Sequence, residues 1–252
     1  MTDVTFELGE TRALVTGASS GLGPWIVKAL DRAGARVAIQ YHSNHEGAAR
    51  LAGELSREAP VLQAELSRPD EVEKLFASAA ESLGHINLLV NCAAAASQSV
   101  SDLKDMSLES WQSTQQANVD APMQLIRAMA AQGRQGVVLN ISSIEASRPA
   151  QGHSHYAVSK AALEMLTRAA ALEFGPIGLR VNAIAPGLIW RDGIETGWPE
   201  GVSAWQQSAP LGKLVDPGNI ADAVLFLASD SAASITGTVL TVDCGLSVRS
   251  GW

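Results

Sequence analysis

The chain contains 252 residues, of which 46% are hydrophobic and 17% are charged, and its formal net charge is −8. These values describe a compact globular protein, exclude a disordered one, and provide no basic surface for nucleic acid or an anionic membrane. Cys92 and Cys244 are too few for a disulfide framework, so we expect a reducing, cytoplasmic environment. No apolar run approaches the ~20 residues of a membrane span, and residues 1–10 lack a signal pattern. We expect one soluble domain over residues 1–252.

Apolar segments alternate with helical periodicity along the chain. Strands are predicted at residues 12–16, 36–40, 61–65, 88–91, 136–141, 180–184 and 238–242. Helices are predicted at residues 25–33, 45–58, 69–83, 107–131, 157–174 and 219–228. Residues 188–215 show no clear periodicity and are interpreted as a loop or substrate lid. Strands that alternate with helices predict an α/β fold, a doubly wound parallel sheet of about seven strands with helices on both faces.

A glycine-rich turn joins the first predicted strand to the first predicted helix. It contains Gly17, Gly21 and Gly23, and Pro24 follows at the first helical position, where its missing N–H costs nothing. Free backbone N–H groups and the helix dipole make such a turn an anion site, and glycine lets the backbone approach a pyrophosphate closely. Glycines also cluster in ordinary tight turns, but a position between a strand and a helix favours dinucleotide binding.

The stretch from Asn140 to Lys160 carries the candidate chemistry. Tyr156 and Lys160 fall one turn apart on one helix face, and Ser143 stands at the end of the preceding strand. A free phenol, with a pKa of about 10, is a poor base at neutral pH, but a nearby ammonium favours the phenolate. A Tyr and a Lys at this spacing could also be surface residues, so the pair indicates acid–base chemistry only together with a cofactor site.

The combined motifs resemble the short-chain dehydrogenase/reductase family over nearly the whole chain. The matching features are Thr16-Gly17-x-x-x-Gly21-x-Gly23, Asn91 after the fourth strand, Asn118, Ser143, Tyr156-x-x-x-Lys160 and Pro186-Gly187. Within the family, the chain is similar to the single-domain branch of 3-oxoacyl-carrier-protein reductases and bacterial sugar and ketone reductases. The resemblance implies a Rossmann-type fold, a nicotinamide cofactor and, usually, a homotetramer.

The resemblance also implies a catalytic tetrad of Asn118, Ser143, Tyr156 and Lys160. Tyr156 would give a proton to the carbonyl oxygen, or remove it in the reverse direction, and Ser143 would orient that oxygen. Lys160 would lower the pKa of Tyr156 and hold the nicotinamide ribose, while Asn118 would anchor a water between Lys160 and solvent. An Asn inside a helix could instead satisfy a backbone kink.

The family pattern places the cofactor along the glycine-rich turn and the ends of the strands. The residues implied to bind it are Gly17, Ser19, Ser20, Gly21, Leu22, Gly23, Tyr41, His42, Ser43, Glu65, Leu66, Asn91, Ala93, Ala94, Tyr156, Lys160, Pro186, Gly187 and Ile189. Ala94 stands in place of a common glycine and slightly crowds the adenosine side. Cys92 is interpreted as a small core residue, and Glu65 replaces an Asp, where it could still frame the adenine.

Cofactor choice depends on the residues after the second predicted strand. NAD-dependent enzymes of this kind end that strand with an acid that takes the ribose 2′-hydroxyl, whereas this chain has Tyr41. Nothing there repels a 2′-phosphate, and Ser43 and Asn44 could donate to it. His42 occupies the place where many NADP-dependent relatives carry Arg, and a neutral imidazole is a weaker phosphate ligand. NADP(H) is therefore favoured, and NAD(H) stays open.

The predicted lid carries most of the substrate candidates. Trp190, Trp198 and Trp205 offer stacking area to a ring-shaped or sugar-like small molecule, although core filling would also explain them. Arg191 replaces a family Thr and offers a cation to the substrate or to the cofactor. The residues predicted to contact the substrate are His153, Trp190, Arg191 and Trp198.

These features predict an NAD(P)(H)-dependent oxidoreductase that interconverts a secondary alcohol and a ketone on a small, polar or cyclic substrate. A 3-oxoacyl-thioester reductase is the alternative, although Ile177 replaces one of the two basic residues that grip an acidic carrier protein, leaving Arg134. A non-catalytic dinucleotide sensor usually lacks the Tyr or the Lys, and a sugar-nucleotide epimerase carries a larger C-terminal region. No metal site is expected. His42 and His45 are closely spaced, as are His153 and His155, but no cysteine or acid completes either pair at a usual spacing.

Overall fold

A seven-stranded parallel sheet lies at the centre of the computed structural model, which describes residues 6–95 and 100–248. Its strands are β1 (Arg12–Val15), β2 (Arg36–Tyr41), β3 (Val61–Gln63), β4 (Leu88–Asn91), β5 (Gly136–Ile141), β6 (Leu179–Pro186) and β7 (Val239–Val242). They follow the order β3-β2-β1-β4-β5-β6-β7, and each neighbouring pair is parallel. The chain thus winds outward in both directions from β1 and β4, which confirms the predicted doubly wound α/β fold.

Helices connect successive strands and cover the sheet. The α-helices are α1 (Gly23–Arg32), α2 (His45–Gly53), α3 (Pro69–Leu83), α4 (Leu108–Gln115), α5 (Ala121–Ala131), α6 (Ser154–Phe174), α7 (Ile194–Gly197), α8 (Pro199–Ser208) and α9 (Pro217–Ala228). Short 3-10 turns lie at Leu103–Asp105, Ile144–Ala146, Gly175–Ile177, Asp230–Ala232 and Leu246–Val248. A π-helical turn, Gln116–Asp120, joins α4 to α5. Among the helices of the described residues, none combines the length and the apolar character required to cross a membrane.

Successive residues of the central strands pack into two different cores. Ala13 and Val15 of β1 belong to the core that also contains residues of α1 and α9, whereas Leu14 belongs to the core with α3 and α5. β4 and β5 follow the same alternation. Because successive side chains of a strand point to opposite faces, apolar residues at every position mean that helices cover both faces, as the sequence predicted.

A chain of buried polar side chains links the sheet to α6. The Asn91 side-chain nitrogen donates to the Asn140 side-chain oxygen at 2.8 Å, and the Asn140 nitrogen donates to the Thr167 hydroxyl at 2.9 Å. All three residues are at most 2% exposed. An unpaired polar group at such depth costs about 1–3 kcal/mol, so these bonds favour one arrangement of β4, β5 and α6. The position of the helix that carries Tyr156 is fixed in this way.

Residues 188–215 differ most from the sequence prediction. They contain two helices, α7 and α8, instead of an irregular loop. Ile194, Val202 and Leu214 form a small separate core beneath them. Because so few buried positions hold these short helices, the sequence shows no helical period there.

Two predicted elements are shorter in the structure. α2 ends at Gly53 instead of residue 58, because the N–H of Glu54 turns back to a carbonyl three residues earlier. β3 ends at Gln63 instead of residue 65. The N–H of Glu65 bonds the Glu71 carboxylate at 2.7 Å, which ends the pairing with β2.

Candidate active site

The carboxyl ends of the central strands open into a cavity of about 740 Å³. This volume lies within the range of pockets that hold small molecules and cofactors. The predicted site residues that line it are Gly17, Ser19, Ser20, Gly21, Leu22, His42, Ser43, Glu65, Leu66, Ala93, Ala94, Ser143, Tyr156, Lys160, Pro186, Gly187, Ile189 and Arg191. The predicted site residues outside it are Gly23, Tyr41, Asn91, Asn118, His153, Trp190 and Trp198. The cavity therefore joins the glycine-rich turn and the Tyr156–Lys160 pair in one continuous space.

The glycine-rich turn forms one wall of this cavity. Gly17 and Gly21 have φ angles of +64° and +60°, and a Cβ at Gly23 would lie 2.3 Å from the Gly17 carbonyl oxygen. A Cβ at Gly21 would meet nothing within 4 Å, so this glycine is required by its backbone conformation alone. Among the described residues, no side chain caps the N-terminus of α1, so the positive end of the helix dipole is left to favour an anion. The turn thus fits the pyrophosphate of a dinucleotide.

Gln40 holds this turn against the sheet and was not predicted from the sequence. Its side-chain oxygen accepts from the Gly17 N–H at 2.7 Å, and its nitrogen donates to the Ala64 carbonyl at 2.8 Å. Gln40 is 1% exposed. A polar residue within an apolar strand is the signal that could have identified it, since a buried amide must find partners inside the protein.

Three residues predicted to bind the cofactor do not line the cavity but lie next to the residues that form its wall. Gly23 lets α1 begin directly against the turn, and Asn91 belongs to the polar chain between β4 and β5. Tyr41 is 8% exposed and packs edge-on against His45, with ring centroids 5.4 Å apart. These residues shape the site without facing the cavity.

Ser143, Tyr156 and Lys160 meet where β5 ends. The Lys160 nitrogen lies 5.5 Å from the centroid of the Tyr156 ring and donates to the Ile141 carbonyl at 2.7 Å. The Ser143 hydroxyl faces the Tyr156 phenol and acts to lower its pKa. α6 places Tyr156 and Lys160 one turn apart, as predicted, and the bond to Ile141 holds the lysine side chain at the end of the strand.

Burial determines the protonation of this pair. It raises the pKa of the Tyr156 phenol to about 12, while the hydrogen bond with Ser143 acts to lower it. Burial also lowers the pKa of the Lys160 ammonium to about 8, because desolvation disfavours the charged form of either group. The net direction for Tyr156 is therefore upward, and the expectation that Lys160 lowers the pKa of Tyr156 stays a prediction. Tyr156 keeps its proton at neutral pH, as a proton donor must.

Asn118 lies inside the π-helical turn and is fully buried. Its side-chain oxygen accepts from the Ala95 N–H at 2.8 Å, and its nitrogen donates to the Ser159 hydroxyl at 3.0 Å. Asn118 therefore connects the segment after β4 to α6, one residue before Lys160. The π turn is the backbone irregularity that the alternative explanation expected, while the role of Asn118 toward a water stays a prediction.

The end of the cavity beside β2 and β3 is where the sequence places the adenosine. There the His42 ring nitrogen Nε2 lies 2.6 Å from Oε2 of the Glu65 carboxylate. Asn44 was expected to donate to a 2′-phosphate, but its oxygen caps α2 at 3.0 Å and its nitrogen donates to the Ser19 carbonyl at 3.0 Å. One N–H of the Asn44 amide thus holds backbone in place, and its second N–H and Ser43 stay the predicted neutral donors.

The segment 188–191 divides its side chains between two faces. It runs parallel to residues 213–215, with an isolated bridge and backbone hydrogen bonds between them. In an extended strand successive side chains point to opposite sides. Ile189 and Arg191 accordingly line the cavity, whereas Trp190 lines a second pocket of about 400 Å³. We call these two paired segments the lid ribbon.

The three tryptophans of the lid do not form an aromatic cover over the cavity. Trp190 is 39% exposed and shares the second pocket with Trp25, and Trp198 is 53% exposed. The Trp205 ring packs against Gly187, and its Nε1 donates to a backbone carbonyl at 3.0 Å. The alternation of side chains along the lid ribbon turns Trp190 away from the cavity. Trp205 fills space next to the core, and core filling was the other explanation for these tryptophans.

The two histidines at the start of α6 lie outside the cavity. His153 Nδ1 is 3.1 Å from the Glu145 carboxylate, a partner that the sequence did not indicate. His155 is 1% exposed, and burial lowers its pKa, which favours the neutral ring. His153 stays a predicted substrate residue, with Glu145 as the group that orients its ring.

Cys92 packs against one of the two cores, as expected, and also lines the cavity beside Lys160. Burial raises the pKa of its thiol to about 12, so the thiol stays protonated and unreactive, as expected. Among the described residues, no cluster of three or more His, Cys, Asp or Glu side chains is arranged to hold a metal ion.

Comparisons with known proteins extend these observations to nearly the whole chain. A family model described as enoyl-(acyl carrier protein) reductase matches residues 17–247. The chain is 35% identical to 3β-hydroxysteroid dehydrogenase 1 of Eggerthella lenta over 248 residues, 95% of this chain and 94% of that protein. It is 34% identical to L-xylulose reductase of Bos taurus over 247 residues, 94% and 97% of the two chains. A blue fluorescent protein from a metagenomic library, solved with NADPH, superposes with a TM-score of 0.89 at 32% identity, covering 95% and 99%.

Replacing Lys160 by methionine is expected to stabilise the fold at neutral pH. The pKa of Lys160 falls from 10.5 to about 8 on folding, so the cost of burying its charge is complete below pH 8. That cost disappears as the pH rises from about 8 to 10.5, where the amine is neutral in both states. Urea denaturation of Lys160→Met at pH 7 should give an unfolding free energy roughly 1–3 kcal/mol above wild type.

The gain of Lys160→Met should shrink at pH 10. Lys104→Met, at a lysine whose side chain is 77% exposed, should change stability little at either pH. A methionine variant at position 160 that is no more stable than wild type at pH 7 would show that the buried ammonium carries no cost.

Proposed function

The chain belongs to the short-chain dehydrogenase/reductase family and is an oxidoreductase that acts on CH–OH groups, and from this premise we propose that it interconverts a secondary alcohol and a ketone with NADP(H), on a small polar or cyclic substrate. The observation that supports this most directly is the Tyr156 phenol. It lies beside the Ser143 hydroxyl and the buried Lys160, in a cavity whose other wall is the glycine-rich turn.

Each tetrad residue has a task that follows from its contacts. A bound nicotinamide supplies or accepts the hydride. Tyr156 gives its phenolic proton to the substrate oxygen in reduction and removes it in oxidation, and Ser143 donates to the same oxygen. Lys160, held by the Ile141 carbonyl, carries the charge that stabilises the phenolate once the proton has left. Asn118 keeps the segment after β4 against α6.

The preference for NADP(H) is supported by the end of β2. Tyr41 stands there instead of an acid and turns into the core, so no carboxylate of that strand faces the 2′ position. His42 and Ser43 line the cavity at this point. A similar solved structure was obtained with NADPH. NAD(H) is the alternative, because the Glu65 carboxylate also lines this end.

The proposed substrate class is supported by Arg191 and by the relatives. Arg191 lines the cavity and can donate several hydrogen bonds to hydroxyl or acidic oxygens. One relative is named for a ketose and another for a steroid, both substrates with a secondary alcohol or ketone on a compact frame. A 3-oxoacyl thioester is the second candidate, favoured by the description of the family model. Ile177, 40% exposed, replaces a basic residue that would grip an acidic carrier.

We further propose a homotetramer in the cytoplasm. Apolar side chains on α4 and α6 face outward: Leu108 is 69% exposed, Met165 61% and Leu172 81%. Burial of such a surface between copies would be favourable. Light scattering coupled to gel filtration should give four times the chain mass of 26.4 kDa, and cell fractionation should recover the protein with cytoplasmic markers. A monomeric mass would contradict this arrangement.

Tyr156→Phe tests the reaction itself. The substitution removes the transferable proton and leaves the ring in place, so turnover should fall by about 10²–10⁴-fold or more. Cofactor absorbance against a panel of sugars, cyclic ketones and acyl thioesters measures this loss. The dissociation constant for the cofactor should remain nearly unchanged. Retention of more than roughly a tenth of the wild-type kcat would show that another group transfers the proton.

Arg191→Ala tests the substrate class. If the guanidinium binds the substrate, KM for the true substrate should rise by roughly 10-fold or more, since charge-assisted hydrogen bonds are worth about 1.5–3 kcal/mol. Cofactor affinity should barely change. Arg50→Ala, at an exposed residue of α2 outside the cavity, controls for the loss of one positive charge. A flat KM with weakened cofactor binding would assign Arg191 to the cofactor.

A further inference from the structure

The adenosine end of the cavity contains a histidine–carboxylate contact whose two members follow neighbouring strands. His42 directly follows β2, and Glu65 follows β3 by two residues. The Nε2 atom of His42 lies 2.6 Å from Oε2 of Glu65. The His42 carbonyl accepts from the Gln63 side chain at 3.0 Å, which holds the two strand ends together. Both His42 and Glu65 line the cavity beside Ser43.

The two oxygens of the Glu65 carboxylate have different tasks. Oε1 accepts from the backbone N–H of Ser67 at 3.1 Å and from its hydroxyl at 3.0 Å, which shapes the loop after β3. Oε2 faces His42. The loop is held further by the bond from the Glu65 N–H to Glu71. The contact with His42 is therefore separable from the support of the loop, because an amide oxygen could replace Oε1.

Among the described residues, His42 is the one basic side chain that lines this end of the cavity. A protonated imidazole can offer its charge to a 2′-phosphate, but here its Nε2 already serves a carboxylate. Two anions that compete for one imidazole weaken each other's hold on it. A cofactor without the 2′-phosphate meets no such competition.

We propose that Glu65 restrains selectivity for the 2′-phosphate by holding His42, so that the His42–Glu65 pair, and not the end of β2 alone, determines how strongly the protein distinguishes NADP(H) from NAD(H). This inference rests on the proposed use of a nicotinamide dinucleotide. It assigns to Glu65 a specificity-determining role beyond contact with the adenine.

Binding of two adenosine fragments tests this role without turnover. Adenosine 2′,5′-bisphosphate and adenosine 5′-monophosphate differ by the 2′-phosphate, and titration calorimetry gives a dissociation constant for each. The measurement belongs at low ionic strength, where exposed charges are little screened, and at a mildly acidic pH, which favours a protonated imidazole. The ratio of the monophosphate constant to the bisphosphate constant reports selectivity for the 2′-phosphate. It cancels any uniform change in adenosine binding.

Glu65→Gln should shift this ratio by roughly 5- to 10-fold toward the bisphosphate, because it removes the competing charge and keeps the amide oxygen for Ser67. Glu46→Gln removes the same charge from an exposed residue in the first turn of α2, outside the cavity, and should leave the ratio within about 2-fold. In a His42→Gln background, Glu65→Gln should likewise change the ratio by at most about 2-fold, because the competition acts through the imidazole.

An unchanged or reduced ratio in Glu65→Gln would overturn the inference, and so would a full gain that persists without His42. These outcomes are distinct from a failure of the proposed cofactor. A wild-type protein that prefers the monophosphate contradicts the choice of NADP(H), yet Glu65→Gln must still raise the ratio. Failure of both fragments to bind would contradict the dinucleotide site itself.

Discussion

The burial of a lysine at the end of β5 is the constraint on which the candidate active site depends. Lys160 is 2% exposed, and its nitrogen has the Ile141 carbonyl as its partner. The same exclusion of water raises the pKa of the Tyr156 phenol and lowers the pKa of the Lys160 ammonium. In such surroundings hydrogen bonds and charges act more strongly than in water. Apolar burial in the two cores on either side of the sheet offsets the free-energy cost of burying this lysine.

Much of the architecture could be predicted because its signals are local. Apolar strands between helices indicated the parallel sheet, and the glycine-rich turn between β1 and α1 indicated an anion site. Tyr156 and Lys160 sit four residues apart on one helix, so their proximity needed no knowledge of the fold. Ser143 could be added because parallel strands end at a common edge of the sheet.

The parts that could not be predicted depend on contacts between distant residues. Nothing near His42 in the sequence points to Glu65, and nothing near Asn44 reveals that its amide serves the Ser19 carbonyl 25 residues earlier. The outward direction of Trp190 follows from the pairing of the two segments of the lid ribbon. No periodicity in the sequence predicts this pairing. The pKa directions in the catalytic pair likewise depend on depth of burial, a property of the packed protein.

The strand order also has a consequence for how the nascent chain folds. β1 pairs with β2 soon after synthesis, but its other neighbour is β4, and the Arg12 N–H finds its partner Asn87 75 residues later. At about 5–20 residues per second, ribosomal synthesis leaves that edge open for roughly 4–15 seconds. An unpaired apolar edge invites association with other chains. Among the described strands, the one that leads into the glycine-rich turn therefore waits longest for its second neighbour during translation.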